Sequence, residues 1–205
     1  MALGHLRSTE FMSINAFTVC VFCGSRSGGN TDYEAAARSM GQAIGRRGMQ
    51  LVYGGGNVGL MGIVADAALQ AGARVVGVIP DSLMRREVGH RGLSELHVVP
   101  NMHVRKRMMA ERADAFVALP GGIGTFEELF EVWTWRQLRY HDRPIGLLDV
   151  ANYYTPLLTF LRNSVDEGFL DADQLASLYV DTQPGDLLDT LVAAPAGKRL
   201  QLDRS

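Results

Sequence analysis

The sequence predicts an α/β fold built on a doubly wound parallel sheet, and three observations carry that expectation. Short apolar runs alternate regularly with segments of helical period. Those runs are continuously apolar rather than alternating, as strands covered by helices on both faces must be. Glycine-rich stretches recur where a strand gives way to a helix, the place at which such sheets bind ligands. Together these describe a single Rossmann-like sheet flanked by helices.

Taken in order, the strands are expected at Thr18–Cys23, Gln50–Tyr53, Arg74–Ile79, Glu95–Val99, Ala115–Leu119, Pro144–Leu148 and, with the weakest pattern, Leu178–Val180. Between them the periodicity places helices at Thr31–Arg47, Gly59–Ala71, Met102–Ala113, Thr125–Tyr140, Tyr153–Glu167 and Gly185–Val192. The 205 residues suit one domain, at the usual size of about 100–200 residues. Neither an internal repeat nor a separating linker interrupts residues 12–192, which are read as one nucleotide-binding α/β domain. Residues 1–11 show no periodicity; Met12 reads as a second start and Glu10-Phe11 as a cloning remnant, an expectation that mass spectrometry of the native protein tests. Residues 193–205 are small and polar and read as a flexible tail.

Composition excludes several classes. A 47% apolar and 20% charged chain is not generally disordered. Twenty basic against twenty-two acidic side chains give a net charge of −2, which argues against nucleic acid or an anionic membrane as a partner held by bulk charge. No apolar run approaches the ~20 residues that span a bilayer. Cys20 and Cys23 form a C-x-x-C pair, but inside a strand, where positions three apart face opposite sides. They are read as buried structural thiols, which suits a reducing cytoplasm.

The glycines mark the ligand end of the sheet. Cys23-Gly-Ser-Arg-Ser-Gly-Gly-Asn30 follows the first strand, Gly54-Gly-Gly-Asn-Val-Gly59 the second and Pro120-Gly-Gly-Ile-Gly-Thr125 the fifth. Three such loops favour a phosphorylated ligand, because glycine admits close backbone approach and helix N-termini offer unpaired N–H groups. The second loop also matches G-x-G-x-x-G at Gly54, Gly56 and Gly59, but the acidic residue that a dinucleotide fold wants arrives late, at Asp81.

In the third loop, Thr125 and Glu128 have capping-box spacing, with Thr125 as N-cap and Glu128 reaching back. The other reading makes Glu127 and Glu128 carboxylates at a binding end. Helical spacing sets Glu127, Glu131, Thr134 and Leu138 on one stripe and Phe126, Leu129, Phe130 and Trp133 on the core-facing arc. The helix from Met102 supplies counter-charge: Arg105 and Lys106 flank the stripe Met102, Met109 and Ala113, while Arg107 points away. Such cations either snorkel to water or bind an anion. His90, His97, His103 and His141 lack metal-ligand spacing, so no metal site is expected.

Pro120-Gly-Gly-Ile-Gly-Thr-Phe-Glu-Glu128 fits P-G-G-x-G-T-x-x-E, and Met102-His-Val-Arg-Lys106 precedes it. With Val21-Phe-Cys-Gly-Ser25 and Tyr53-Gly-Gly-Gly-Asn-Val-Gly-Leu-Met-Gly62, the chain from Phe17 to about Val192 resembles the Lonely Guy family. These are the cytokinin riboside 5′-monophosphate phosphoribohydrolases, often mislabelled lysine decarboxylase-like. The resemblance implies hydrolysis of the N-glycosidic bond of an adenine-type nucleoside 5′-monophosphate, giving free base and ribose 5-phosphate, by a homodimer that needs no metal or redox cofactor. Its catalytic arginine and glutamate fall on Arg105 and Glu128. The expected substrate contacts are Glu87, Lys106, Gly122, Ile123, Gly124, Thr125, Phe126, Glu127 and Thr134, joined by Ser25, Gly55 and Gly56 of the other loops. Arg105 is expected either to bind phosphate or to orient the carboxylate.

Two other readings stand beside this one. A pyridoxal phosphate decarboxylase needs a Schiff-base lysine, and the chain has only Lys106 and Lys198. A non-catalytic nucleotide or molybdenum-cofactor carrier would keep the glycine loops without needing both Arg105 and Glu128.

Overall fold

The computed structural model describes residues 16–87, 89–195 and 200, with only the main chain at 85–87. The expectations for residues 1–11 and for most of the tail therefore lie outside the described residues. Seven strands form one parallel sheet: β1 (Thr18–Phe22), β2 (Gln50–Tyr53), β3 (Arg74–Pro80), β4 (Glu95–Val99), β5 (Ala115–Ala118), β6 (Ile145–Leu148) and β7 (Leu178–Asp181). The helices are α1 (Thr31–Arg46), α2 (Gly59–Gln70), α3 (Asp81–Glu87), α4 (Met102–Arg112), α5 (Ile123–Gln137), α6 (Thr155–Asp166), α7 (Ala172–Ala176) and α8 (Pro184–Ala193).

The strand order is β4-β3-β2-β1-β5-β6-β7, every neighbouring pair parallel. The chain runs outward from β1 to β4, returns to lay β5 beside β1, then runs outward the other way. The reversal opens a crevice between the carboxyl ends of β1 and β5, with β2 adjoining. Register fixes that crevice: Phe22 pairs Ala118, and Val21 pairs Tyr53.

Each face of the sheet has its own core. Val19, Val21, Leu51 and Val117 pack with Met40, Ile44 and Val64 of α1 and α2 and with Leu187 and Leu188 of α8. Val52, Val76 and Phe116 pack with Met109 of α4, Leu129 and Trp133 of α5, and Leu158 of α6. Cys23 belongs to the first cluster and Cys20 to the second, both as free thiols. Strand alternation thus separates the C-x-x-C pair, as the sequence reading requires. Burial raises both thiol pKa values, and the charge of Glu128 adds to it. His90 and His141 are buried and satisfied, 2.8 Å from Asp66 Oδ1 and from the Val132 carbonyl respectively.

Two short helices were not legible. The seven residues of α3 and five of α7 are too few to show a 3.6-residue period. The larger correction concerns α5, which begins at Ile123 with Gly122 as an extended N-cap, not at Thr125. Thr125 is buried and turned inward; its Oγ1 would lie 2.1 Å from a Cβ at Gly121. There is no capping box, because Thr125 is already inside the helix.

Candidate active site

Three βα loops converge at the crevice, and main-chain bonds tie them together. The Gly24 N–H donates to the Pro120 carbonyl at 3.0 Å, and the Leu60 N–H donates to the Gly24 carbonyl at 3.0 Å. Between them lies a cleft of about 490 Å³, bounded by the β1–α1 loop, the β5–α5 loop, Arg105 and Tyr153. The start of α5 carries no capping side chain, and nothing lies within 4 Å of a Cβ built at Gly122 or Gly124. The first amides of that helix are consequently available to an anion.

Freed from capping, Glu128 faces Arg105. Its Oε1 lies 3.5 Å from an Arg105 terminal nitrogen, with side-chain exposures of 11% and 8%. Arg105 does not snorkel. Its Nε donates to the Val78 carbonyl at 3.1 Å and a terminal nitrogen donates to the Gly54 carbonyl at 3.5 Å. A guanidinium held this way has a fixed plane, so the carboxylate beside it is held at the cleft wall.

The β2–α2 loop makes that placement possible. A Cβ on Gly54 would sit 2.0 Å from the Arg105 guanidinium. Gly55, at φ +77°, packs on Ile79, Val78 and Leu96, and Gly56 accepts the Tyr53 hydroxyl at 3.2 Å. Gly55 and Gly56 therefore lie behind Arg105 and do not line the cleft, contrary to their expected place among the substrate contacts. The same crowding leaves the G-x-G-x-x-G match no room for a pyrophosphate.

Lys106 points elsewhere. Its ammonium donates to Glu131 at 2.8 Å and also pairs with Glu127. Burial lowers the Lys106 pKa, but these two bonds outweigh it and the net shift is upward. Of the expected contacts, Ser25, Gly122, Ile123, Gly124, Thr125 and Glu127 line the cleft with Arg105 and Glu128. Lys106 stands behind Glu127, Thr134 is exposed further along α5, and Phe126 lines a neighbouring apolar groove with Phe130 and Leu157. The side chain of Glu87 is outside the described residues.

Residues 61–191 match the family described as "Possible lysine decarboxylase". Over 152 residues the chain is 53% identical to the cytokinin riboside 5′-monophosphate phosphoribohydrolase of Arabidopsis thaliana, covering 74% of this chain and 70% of that one. The enzyme of that name from Rhodococcoides fascians is 53% identical over 154 residues, covering 75% of this chain and 78% of the other. The chain belongs to this phosphoribohydrolase family. A solved molybdenum cofactor binding protein from Rippkaea orientalis superposes with a TM-score of 0.67 at 19% identity, over 88% of this chain and 98% of that one. At that identity the likeness is one of fold alone.

Within the phosphoribohydrolase family the decarboxylase description does not suit these residues. A Schiff-base lysine must present a neutral amine, whereas Lys106 is clamped as an ammonium between two carboxylates. Lys198 lies outside the described residues. Three cleft residues escaped the sequence reading: Arg26, Tyr33 and Tyr153. Arg26 stands in the first glycine loop, where a lone cation among small residues carries no pattern of its own. Tyr153 follows the carboxyl end of β6, where the fold rule alone points. Its hydroxyl donates to the Gly121 carbonyl and its ring meets Tyr33 edge-on, centroids 5.6 Å apart. The turn that delivers it carries Ala151 and Asn152 at φ +50° and +60°. Two non-glycine residues in that region cost of order 1 kcal/mol each.

Proposed function

We propose that this protein hydrolyses the N-glycosidic bond of adenosine 5′-monophosphate and its N6-substituted forms, releasing the free base (a cytokinin, for the substituted substrates) and ribose 5-phosphate. The observation that carries the reading is the buried Arg105–Glu128 pair, 3.5 Å apart, on the wall of a cleft floored by an uncapped helix start. As the bond between C1′ and the base nitrogen breaks, positive charge develops on the ribose. The Glu128 carboxylate stabilises that charge or takes a proton from the attacking water, whose oxygen bonds to C1′ while a proton ends on the base. Arg105 orients Glu128 rather than gripping phosphate, since backbone carbonyls and Glu128 already occupy its guanidinium. Glu127, anchored by Lys106, assists at the mouth. Gly122, Ile123, Gly124 and Thr125 hold the phosphate through the α5 N-terminus, which fixes the sugar against the acid. Ser25 contacts the substrate from the opposite loop; Glu87, Lys106, Phe126 and Thr134 complete the set of family positions.

The working unit is a homodimer, a reading supported by exposed apolar side chains: Ile123 at the cleft at 84%, Leu138 at the far end of α5 at 58% and Phe160 on α6 at 63%. The partner is a small nucleotide, and neither nucleic acid nor membrane is required; among the described residues no helix is long and apolar enough to cross a membrane. A cytoplasmic location suits the two free, buried cysteines. The test is incubation with AMP and with N6-prenylated AMP, followed by chromatography for free base. Release of base from both supports the assignment, and the ratio of the rates separates a hormone-activating enzyme from a general purine nucleotide nucleosidase. Binding without release would indicate a carrier.

A further inference from the structure

The charges lining the cleft are Arg26, Arg105, Glu127 and Glu128. Three of the four are already matched: Arg105 by Glu128, and Glu127 by Lys106 from behind. Lys106 is doubly engaged, since Glu131 holds it at 2.8 Å as well. A phosphate monoester carries a charge of about −1.5 to −2 near neutral pH, and it must enter a cleft that already holds two carboxylates. Backbone amides at the α5 start offer partial charges only. Among the described residues lining the cleft, Arg26 alone is a cation without a carboxylate partner.

Its position is built rather than incidental. The Gly24 N–H bond to Pro120 and the Leu60 N–H bond to the Gly24 carbonyl fix the loop two residues before Arg26. Gly59 sits at φ +54°, and a Cβ there would lie 2.4 Å from the Arg26 nitrogen. Glycine at 59 thus clears the path of the Arg26 main chain between α2 and the cleft. Gly24 does the same from the other side, where a Cβ would lie 2.9 Å from the Arg26 carbonyl oxygen. The backbone is locked and the side chain, exposed at the mouth, is free to close on a ligand.

We propose that Arg26 is the specificity-determining cation for the 5′-phosphate, selecting nucleoside monophosphates over nucleosides by charge-assisted pairing from the β1–α1 loop, opposite the α5 N-terminus. This rests on the nucleotide reading above. A guanidinium suits the task because it meets two phosphate oxygens at once.

The test compares wild type, Arg26→Gln and Arg26→Lys in AMP hydrolysis and, separately, in calorimetric binding of ribose 5-phosphate and of ribose. For Arg26→Gln, KM for AMP rises about tenfold, as expected for one solvent-screened charged contact, while kcat falls by no more than about twofold. Ribose 5-phosphate affinity falls in parallel, ribose affinity does not change, and Arg26→Lys recovers part of the loss. The wild-type KM rises with salt as charge is screened, and this dependence is flatter in Arg26→Gln. Unchanged KM and unchanged ribose 5-phosphate affinity in Arg26→Gln would overturn the proposal even if AMP is hydrolysed. Arg26-dependent binding of ribose 5-phosphate without any hydrolysis would uphold it and overturn the hydrolase reading instead. A wild type that neither hydrolyses AMP nor binds ribose 5-phosphate overturns both.

Discussion

The β2–α2 and β5–α5 loops look alike in sequence, Gly54-Gly-Gly-Asn-Val-Gly59 against Pro120-Gly-Gly-Ile-Gly124, and the molecule uses them in opposite ways. The glycines of the first are filled by the protein itself: the Arg105 guanidinium stands 2.0 Å from a Cβ at Gly54, and Ile79 3.2 Å from one at Gly55. In the second, Gly122 and Gly124 face nothing within 4 Å. One loop makes room for the Arg105 side chain, and the other leaves its backbone open to the cleft. A glycine motif therefore reports only that something approaches the backbone closely; whether that is substrate or protein depends on the neighbouring elements.

The sharpest way to break this comparison is Gly54→Ala. The atom in the way is the tip of a flexible side chain, so the fold accommodates the methyl by moving the Arg105 guanidinium off Glu128. Base release falls roughly a hundredfold, the scale of one lost electrostatic contact at a reaction centre, and the thermal midpoint falls as well, since the displaced buried guanidinium gives up its bonds to Val78 and Gly54. Near-normal turnover in this variant would mean that Arg105 need not occupy that place.

Gly124→Ala gives the opposite profile. It adds a helix-favouring residue worth up to about 1 kcal/mol within α5, so the thermal midpoint holds or rises slightly. KM for AMP increases several-fold because the methyl intrudes on the anion site. A loss of stability here would place Gly124 against protein and erase the distinction between the loops.

The smallest effects come from the tyrosines that brace each loop. Tyr53→Phe removes the hydroxyl held by the Gly56 carbonyl at 3.2 Å and costs about 1 kcal/mol in chemical denaturation, with KM unaltered. Tyr153→Phe frees the Gly121 carbonyl, and raises KM about threefold, a fraction of the value of one hydrogen bond. Identical profiles from the two variants would contradict the separate duties assigned to the loops.

The succession of strands and helices and the opposed cysteines were legible because period and continuity of apolar residues express burial directly. Arg105 was half legible: the helical wheel set it beside an apolar stripe but could not say whether it would snorkel. Carbonyls of Val78 on β3 and of Gly54 in the β2–α2 loop decide that. Thr125 and Glu128 misled because capping-box spacing is satisfied by any helix with those residues in its first turns, whereas the N-cap of α5 is Gly122, three residues before Thr125. Tyr153 carries no signal in the sequence, since what brings it to Gly121 is the left-handed turn at Ala151 and Asn152. Lys106 was legible as a cation at the site, but its engagement by Glu127 and Glu131 depends on how α4 lies along α5.

The measurement that bears most directly on the account is base release from AMP by wild type and by Glu128→Gln, with ribose 5-phosphate binding measured on both. The arrangement of Glu128 against Arg105 predicts equimolar adenine and ribose 5-phosphate from wild type. It predicts at least a thousandfold slower release from Glu128→Gln, the scale expected for a positioned carboxylate, with ribose 5-phosphate still bound. No adenine from wild type, or turnover near wild type in Glu128→Gln, would contradict it.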